Sequence, residues 1–456
     1  MTKNLTRGNP LVVILTFSLP LVVGNLFQQF YNMADTYIVG STIGMNALAA
    51  VGCTGSLSFL IIGFVFGFST GANILTSQHY GANDLAGVRR SFAAGIVLAV
   101  IVTIVLMIVS MTSTGFILHF LNTPPEIFDN AYRYITIIFA GMPVLTLFSF
   151  VSNAMRAVGD STTPLIFLVA ACIINIILDY AFILVFHTGV EEAAYATVIA
   201  QLLSGLACIP VITKKLTVLK LQKEDWRGLT GKEIMAHAKI ALPVGFQMSI
   251  IAIGAVAVTY ALNNIGTTAV AAFTTSQKID MIATMPLNSL GLAMTTYTAQ
   301  NLGAKKYSRI IRGVTHAAAV SVGFSALMAV VYFFFGNHLA AFFLGGEREA
   351  VALSHTYLKI NGVCYPLLAW LFISRHSLQG LGDTVTATLA GILELVGRTA
   401  AAILLGAVLG FVGISFSSPL AWVLALIPLT TAAVLKMKKL HRLDLAQKKD
   451  PYSRET

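Results

Sequence analysis

The sequence predicts an all-α polytopic membrane protein: twelve transmembrane helices in two six-helix lobes, related by a pseudo-two-fold axis along the membrane normal. Three observations predict it. The chain is 56% hydrophobic and only 11% charged, with a mean hydropathy of +0.80, whereas a soluble domain carries roughly 25% charged residues. Its Lys and Arg gather in alternate loops. Its two halves repeat. Apolar runs long enough to cross a bilayer recur along the whole length, and they are continuous rather than alternating, which excludes the strands of a barrel.

The spans are expected near residues 12–37, 48–76, 92–114, 131–152, 164–186 and 191–213, then 239–262, 268–297, 313–335, 354–374, 385–409 and 413–435. The opening MTKNLTRGNP precedes a long apolar run with no small-residue cleavage site, so an uncleaved first span is expected. One set of loops holds Lys3, Arg7, Arg89, Arg90, Arg156, the linker cations from Lys214 to Lys232, Lys305, Lys306, Arg309, Arg312, Arg375 and the tail from Lys436. The opposite set holds only Arg348. By the positive-inside rule both termini and the middle loop are expected in the cytoplasm of a cell-membrane protein. The net charge of +10 is accounted for in this way, and no nucleic-acid partner is expected. Arg133 and Lys359 fall near span ends, where they can snorkel.

The expected domains are a lobe at 1–213, a cytoplasmic loop at 214–237, a lobe at 238–435 and a basic tail at 436–456. TYIVGSTIGMNALAA (Thr36 to Ala50) aligns with TYALNNIGTTAVAA (Thr259 to Ala272), and QHYGAN at Gln78 with QNLGAK at Gln300. Pro20 pairs with Pro243, Pro143 with Pro366, and AVGDST at Ala157 with GLGDTV at Gly380. Six spans per half is an even number, so both halves share one orientation, as in parallel-repeat transporters with a midplane site. Pro20 removes one helix hydrogen bond just before a polar stripe, and a helix-bending role is open to it.

That stripe comprises Asn25, Gln28, Gln29, Asn32 and Asp35, at steps of three and four along an otherwise apolar first span. The repeat replaces these residues with Met248, Ile251, Ala252, Ala255 and Val258. In span 5, Asn175 and Asp179 share a face, and the repeat puts Arg398 and Ala402 there. Acids inside spans are functional by default. Two carboxyls in one low-dielectric cavity suit a coupling ion, either H+ held between them or a hard monovalent cation such as Na+ with added amide and hydroxyl oxygens. Apart from that Na+ no metal is expected, and no cofactor. Lys278 and Asp280 in span 8 point in different directions, so one of them is expected to line the cleft in the second lobe. Glu394 and Arg398 are spaced for an intrahelical ion pair.

Cys53, Cys172, Cys208 and Cys364 are isolated and read as small core residues. No P-loop, GxSxG or HExxH motif is present, and the nine His are scattered, so no enzyme is expected. No segment is long enough for a nucleotide domain, which leaves an ion gradient as the energy source.

The pattern resembles the MATE (multidrug and toxic compound extrusion) family across essentially all twelve spans. The residues that carry it are FSLPLVVGNLFQQFYNMADTYIVG (Phe17 to Gly40), QHYGAND (Gln78 to Asp84), SNAMRAVGDSTTP (Ser152 to Pro164), NIILDYAFI (Asn175 to Ile183), AAYATVIAQ (Ala193 to Gln201) and QGLGDT (Gln379 to Thr384). The resemblance implies efflux of small cationic or amphipathic compounds in exchange for H+ or Na+. It implies that Asp35, Asn175 and Asp179 form the ion site, with Tyr134, Asn153 and Thr197 around them. The family's acid early in span 7 is absent from LPVGFQMSIIA (Leu242 to Ala252), where Gln247 is the only sizeable polar residue. The working unit is expected to be a monomer in the bilayer. A flippase of lipid-linked saccharides from the same superfamily is the alternative, and it should show a cationic cleft. A major-facilitator carrier is a weaker one, because GANDLAGVRR (Gly81 to Arg90) matches the loop motif of those carriers only in part.

Overall fold

The structure, a computed structural model, describes residues 4–120, 123–182, 189–345 and 347–449. The end of the span expected at 164–186 and the last residues of the tail lie outside them. In chain order the helices are α1 (Pro10–Thr42), α2 (Met45–Ala72), α3 (Ile74–Gly81), α4 (Leu85–Phe120), α5 (Pro125–Ala140), α6 (Met142–Ala157), α7 (Thr162–Tyr180) and α8 (Glu191–Lys214). Then come α9 (Lys223–Arg227), α10 (Gly231–Asn263), α11 (Thr267–Gly303), α12 (Tyr307–Leu344), α13 (Arg348–Gly380), α14 (Thr384–Leu409), α15 (Phe411–Ser415) and α16 (Ser417–Lys449). No strand occurs among the described residues.

Ten stretches are long and apolar enough to cross a membrane, and α5 with α6, bent by 47°, makes an eleventh. The twelfth, α11, has ample length at 37 residues but carries Thr, Ser, Gln, Lys and Asp along its course, which keeps it out of that count. Most helices overrun the expected spans, as helices do when they leave the hydrocarbon for the headgroup layer. One sequence expectation is overturned. Arg375, placed in a loop, lies inside α13 and is almost fully buried, because that helix continues past the apolar run to Gly380.

The repeated motifs prove to be helix-start chemistry. Gly159 and Gly382 both adopt positive φ, 86° and 82°, and the Asp after each caps the next helix. Asp160 accepts from Thr162 and Thr163 N–H at 3.1 and 3.0 Å, and Asp383 accepts from Thr386 N–H at 3.3 Å. Asn83 and Lys305, which correspond in the repeat, both take left-handed backbone at φ 58° and 54°. The repeat departs from symmetry at its prolines. Pro143 sits in the first turn after the α5–α6 bend, while Pro366 lies within an unbroken α13.

The chain forms two compact units: residues 23–245 with Asn4, and residues 5–22 with 246 onward. These units run across the linear halves. Helix α1 changes unit between Val22 and Val23, and α10 between Gly245 and Phe246, each two residues after its repeat proline. The first unit packs around Phe64, Phe68, Phe92 and Phe150 at one level and Ile135, Phe139 and Met142 at another. The second packs around Tyr332, Tyr365 and Trp422, with ring centroids 5.8 and 6.3 Å apart. Burial runs opposite to a soluble protein. Along α12, Ser321 and Ser325 are buried while Leu327, Val330 and Phe334 are exposed, as expected when small polar residues mediate helix packing and large apolar ones face lipid.

At the start of α4, Asp84 accepts from Gly87 N–H at 2.8 Å and pairs with His79 at 2.9 Å. The Gly87 bond first, then the His79 partner, hold the Asp84 carboxyl below the usual carboxylate range. Its contribution is therefore complete above the unfolded value of about 3.9 and is lost as pH falls through the lowered folded value. Asp84→Ala should cost about 1 kcal/mol in thermal unfolding of the detergent-solubilised protein near neutral pH. The difference from wild type should vanish in strongly acidic buffer.

Candidate functional site

In the first unit α1 sets a row of side chains against α7 and α8. Gln28, Tyr31 and Asp35 follow one another at steps of three and four and so share a face. Tyr31 Oη lies 3.0 Å from Thr197 Oγ1, and Asn175 Nδ2 donates to the same oxygen at 3.3 Å. Gln28, Tyr31, Cys172, Asn175, Thr197 and Gln201 line a narrow crevice. Tyr134, from α5, is buried within electrostatic reach of both acids.

The carboxyls of Asp35 and Asp179 adjoin one another. Asp179 is fully buried and Asn175 nearly so. Asp35 Oδ1, both Asp179 carboxylate oxygens and Asn175 Oδ1 are buried without any hydrogen-bond donor from the described residues. An ionised carboxylate is acceptor-only, and leaving buried acceptors unpaired costs the desolvation of each. Among the described residues no cation acts on either carboxyl. The arrangement fits a species that brings positive charge or a proton, and together with Thr197 Oγ1 it offers the hard oxygen donors that Na+ would need.

The remaining expected residues are placed as follows. Asn32 points away from the row and is exposed, since it follows Tyr31 by one residue and so projects about 100° around the helix. Asn153 donates to Ser149 O at 2.9 Å and accepts from Thr70 at 3.3 Å; among the described residues no hydrogen bond ties it to the Asp35 group. Pro20 lies within the continuous α1, in the part belonging to the second unit. Two residues of the crevice escaped sequence reasoning. Tyr31 was hidden because a tyrosine in an apolar span reads as packing, yet its steps to Gln28 and Asp35 were the available signal. Gln201, four residues beyond Thr197, carried the same kind of signal.

The second unit handles its polar groups differently. Gln247 is buried beside Gly391, and its Oε1 accepts from Gln379 at 2.8 Å. Lys278 is exposed. Asp280, two residues on, keeps Oδ1 buried without a partner and lies in electrostatic reach of Arg398, Tyr332 and Tyr357. Glu394 makes the expected pair with Arg398 at 2.9 Å, and also a bond of 2.6 Å to Arg375, from α13. Each Glu394 oxygen thus holds one guanidinium, and the three charges neutralise in part within one buried group. Breaking such a group strands the other charges. Glu394→Gln should lower stability by about 3–5 kcal/mol, read as a lowered unfolding midpoint in detergent. Adding Arg375→Met and Arg398→Met should restore most of that loss.

A family model described as MatE matches residues 20–181 and 243–398. Over 379 residues, 83% of this chain and 84% of the relative, the sequence is 28% identical to the probable multidrug resistance protein YpnP of Bacillus subtilis. Over 384 residues, 83% and 84% of the two chains, it is 22% identical to the multidrug export protein MepA of Staphylococcus saprophyticus. Among solved structures, the outward-facing form of a multidrug resistance MATE family transporter of the MOP superfamily superposes with a TM-score of 0.88 at 21% identity, covering 96% of this chain and 99% of that one. A MOP superfamily transporter from Pyrococcus furiosus gives 0.86 at 21% identity, covering 97% and 99%. With the family model matching both repeats and twelve-span relatives matching the fold, the chain belongs to the MatE family of multidrug and toxic compound extrusion transporters.

Proposed function

We propose that the protein is a secondary-active multidrug efflux antiporter, exporting cationic or amphipathic compounds in exchange for H+ or Na+ by alternating access. The observation that carries this reading is the adjoining pair Asp35 and Asp179, with buried oxygens that no donor satisfies. Curated relatives described as multidrug resistance and multidrug export proteins support the substrate class. The Lys and Arg bias supports cytoplasmic termini in a cell-membrane protein, and the proposed working unit is a monomer.

The pair acts through exclusion. Two adjoining carboxylates in low dielectric repel, so the group is stable only with a proton or cation on it, or with a cationic substrate nearby. With H+, one proton shared by the pair removes one of its two charges. With Na+, Asn175 Oδ1 and Thr197 Oγ1 supply neutral oxygens beside the carboxylates. Either ion and a cationic substrate compete for one negative field, and that competition is the chemical content of antiport. The crevice from Gln28 to Gln201 supplies amide, hydroxyl and apolar surface for the rest of an amphipathic molecule. A saccharide-pyrophosphate flippase needs free cations in its cleft. Arg375 and Arg398 are both already bonded to Glu394, which disfavours that alternative.

Proteoliposomes with a fluorescent cationic dye outside and the coupling ion concentrated inside provide the test. An imposed H+ or Na+ gradient should accelerate dye uptake, and the ion that does so is the coupling ion. Asp35→Asn should reduce gradient-driven uptake to the level of empty vesicles while leaving the protein inserted and monodisperse. Dye movement indifferent to both gradients, or wild-type uptake in Asp35→Asn, would overturn the reading.

A further inference from the structure

Residues 5–8, just ahead of α1, are held by side chains of the second unit through their main chain. Leu5 N–H donates to Gln300 Oε1 at 3.1 Å. Leu5 O accepts from Asn301 Nδ2 at 3.2 Å and from Arg309 Nη2 at 3.1 Å. Thr6 O accepts from Lys306 Nζ at 2.9 Å, Arg7 O from Arg309 Nη2 at 3.2 Å, and Gly8 O from Arg309 Nη1 at 2.6 Å. Asn301 Oδ1 in turn accepts from Arg309 Nε at 3.1 Å, which fixes the guanidinium plane. All four carbonyls from Leu5 to Gly8 are thus taken. The Leu5 side chain is fully buried, in a cluster with Phe17, Tyr297, Ile310 and Leu440.

A second, independent case stands in the first unit. The segment before α10 is held by the start of α4: Asp225 accepts from Arg89 Nε at 3.2 Å, Leu219 is fully buried, and a Cβ on Gly228 would stand 3.0 Å from Arg90 Nη2. Both segments precede a helix that changes unit two residues after a proline. Both are held by an Arg that follows a Gln-x-x-Gly-Ala motif, Arg89 after Gln78 to Ala82 in one repeat and Arg309 after Gln300 to Ala304 in the other, the second joined by Gln300 and Asn301 of the motif itself. The pattern belongs to the repeat unit.

We propose that Leu5–Gly8 is a permanent anchor that keeps the first part of α1 fixed to the second unit throughout the transport cycle, with Arg309 as its clasp. A gate would be expected to offer weak or few bonds at the point where it opens. Here every carbonyl is bonded, one guanidinium serves three of them, and an apolar plug seals the segment. The compliant point of α1 lies further on, at Pro20, where the helix lacks one hydrogen bond just before it changes unit. Any change in α1 that moves Asp35 is then taken up at residues 20–23, with the anchor as its fixed reference. The proposal rests on the antiport reading for its transport arm only.

The test uses the full chain with Cys53, Cys172, Cys208 and Cys364 replaced, after that background is shown to transport. Spin labels go on Arg7→Cys and on Leu327→Cys, an exposed α12 position about 27 Å along the helix from Arg309. One narrow distance, the same in acid and alkaline buffer and with or without Na+ or dye, is expected. A second resolved distance under any of these conditions overturns the proposal, and it does so even if no ion-coupled transport exists. In the transport arm, Arg7→Cys is joined to Lys305→Cys by a short bis-maleimide. Cross-linked protein should transport as well as its uncross-linked control, and loss of transport on cross-linking means the segment must open. Arg309→Gln should broaden the label distance and slow transport about tenfold or more. An unchanged distance in that variant removes Arg309 as the clasp.

Discussion

A carboxylate in hydrocarbon loses its water, and the protein must return that solvation or leave the group neutral. The penalty amounts to several kcal/mol per ion even after relaxation, and Glu394 and the Asp35–Asp179 pair meet it in opposite ways. In the second unit Glu394 gives one oxygen to Arg375 and the other to Arg398, so its charge is answered within the protein. In the first unit Asp35 and Asp179 adjoin, and the available neighbours, Tyr31, Tyr134 and Thr197, include no cation. A group that needs nothing further is scaffold, whereas one that remains short of positive charge has to obtain it from solution. That difference, more than the presence of acids inside spans, separates the structural ion pair at Glu394 from the ion site proposed at Asp35 and Asp179.

The internal repeat sharpens the contrast, because both halves use the same backbone devices. Gly159–Asp160 and Gly382–Asp383 start helices in the same way, and Asn83 and Lys305 turn the chain with the same left-handed step. Such features are set by backbone geometry, and duplication preserves them. The polar content of the spans is free of that constraint and has diverged. Where the first half has Asn175 and Asp179, the second has Arg398 and Ala402, and Arg398 is already bonded to Glu394. Gln247, a buried polar residue of α10, forms a closed amide pair with Gln379. A neutral pair of that kind has no charge to exchange.

Much of the fold was legible because bilayer length, loop charge and repetition are properties of the sequence itself. Among the described residues eleven spans are evident from length and apolarity, while α11, expected at 268–297, carries polar residues that lower its hydropathy. The site was legible at Asp35, Asn175 and Asp179, whose types are costly inside a membrane. It was less so at Tyr31, a residue that is ordinary in apolar spans until its hydroxyl is seen on Thr197. The polar stripe was read too broadly, since five residues spaced at three and four cover more than one face. Gln28 and Asp35 share the face of Tyr31, while Asn32 is exposed. Arg375 misled for a physical reason. Loop cations and buried cations look alike in a charge count, and only the Glu394 partner on another helix, 19 residues away, distinguishes them.

The exchange of α1 and α10 between the compact units adds a constraint that no linear division of the chain contains. Asp35 belongs to one unit, while the first part of the same helix belongs to the other. A continuous helix transmits displacement along its axis because its hydrogen bonds resist stretching, but it bends where a bond is missing. Pro20 provides that place thirteen residues after Arg7 and fifteen before Asp35. If the end held by Arg309 does not move, the outer segment can rotate the row of Gln28, Tyr31 and Asp35 toward or away from Asn175 and Asp179 without disturbing the packing of Leu5, Phe17 and Tyr297. Under the proposed antiport, ion occupancy at the carboxyl pair and the shape of α1 would be two expressions of one equilibrium, because an ion binds best in the geometry that brings both carboxyls to it.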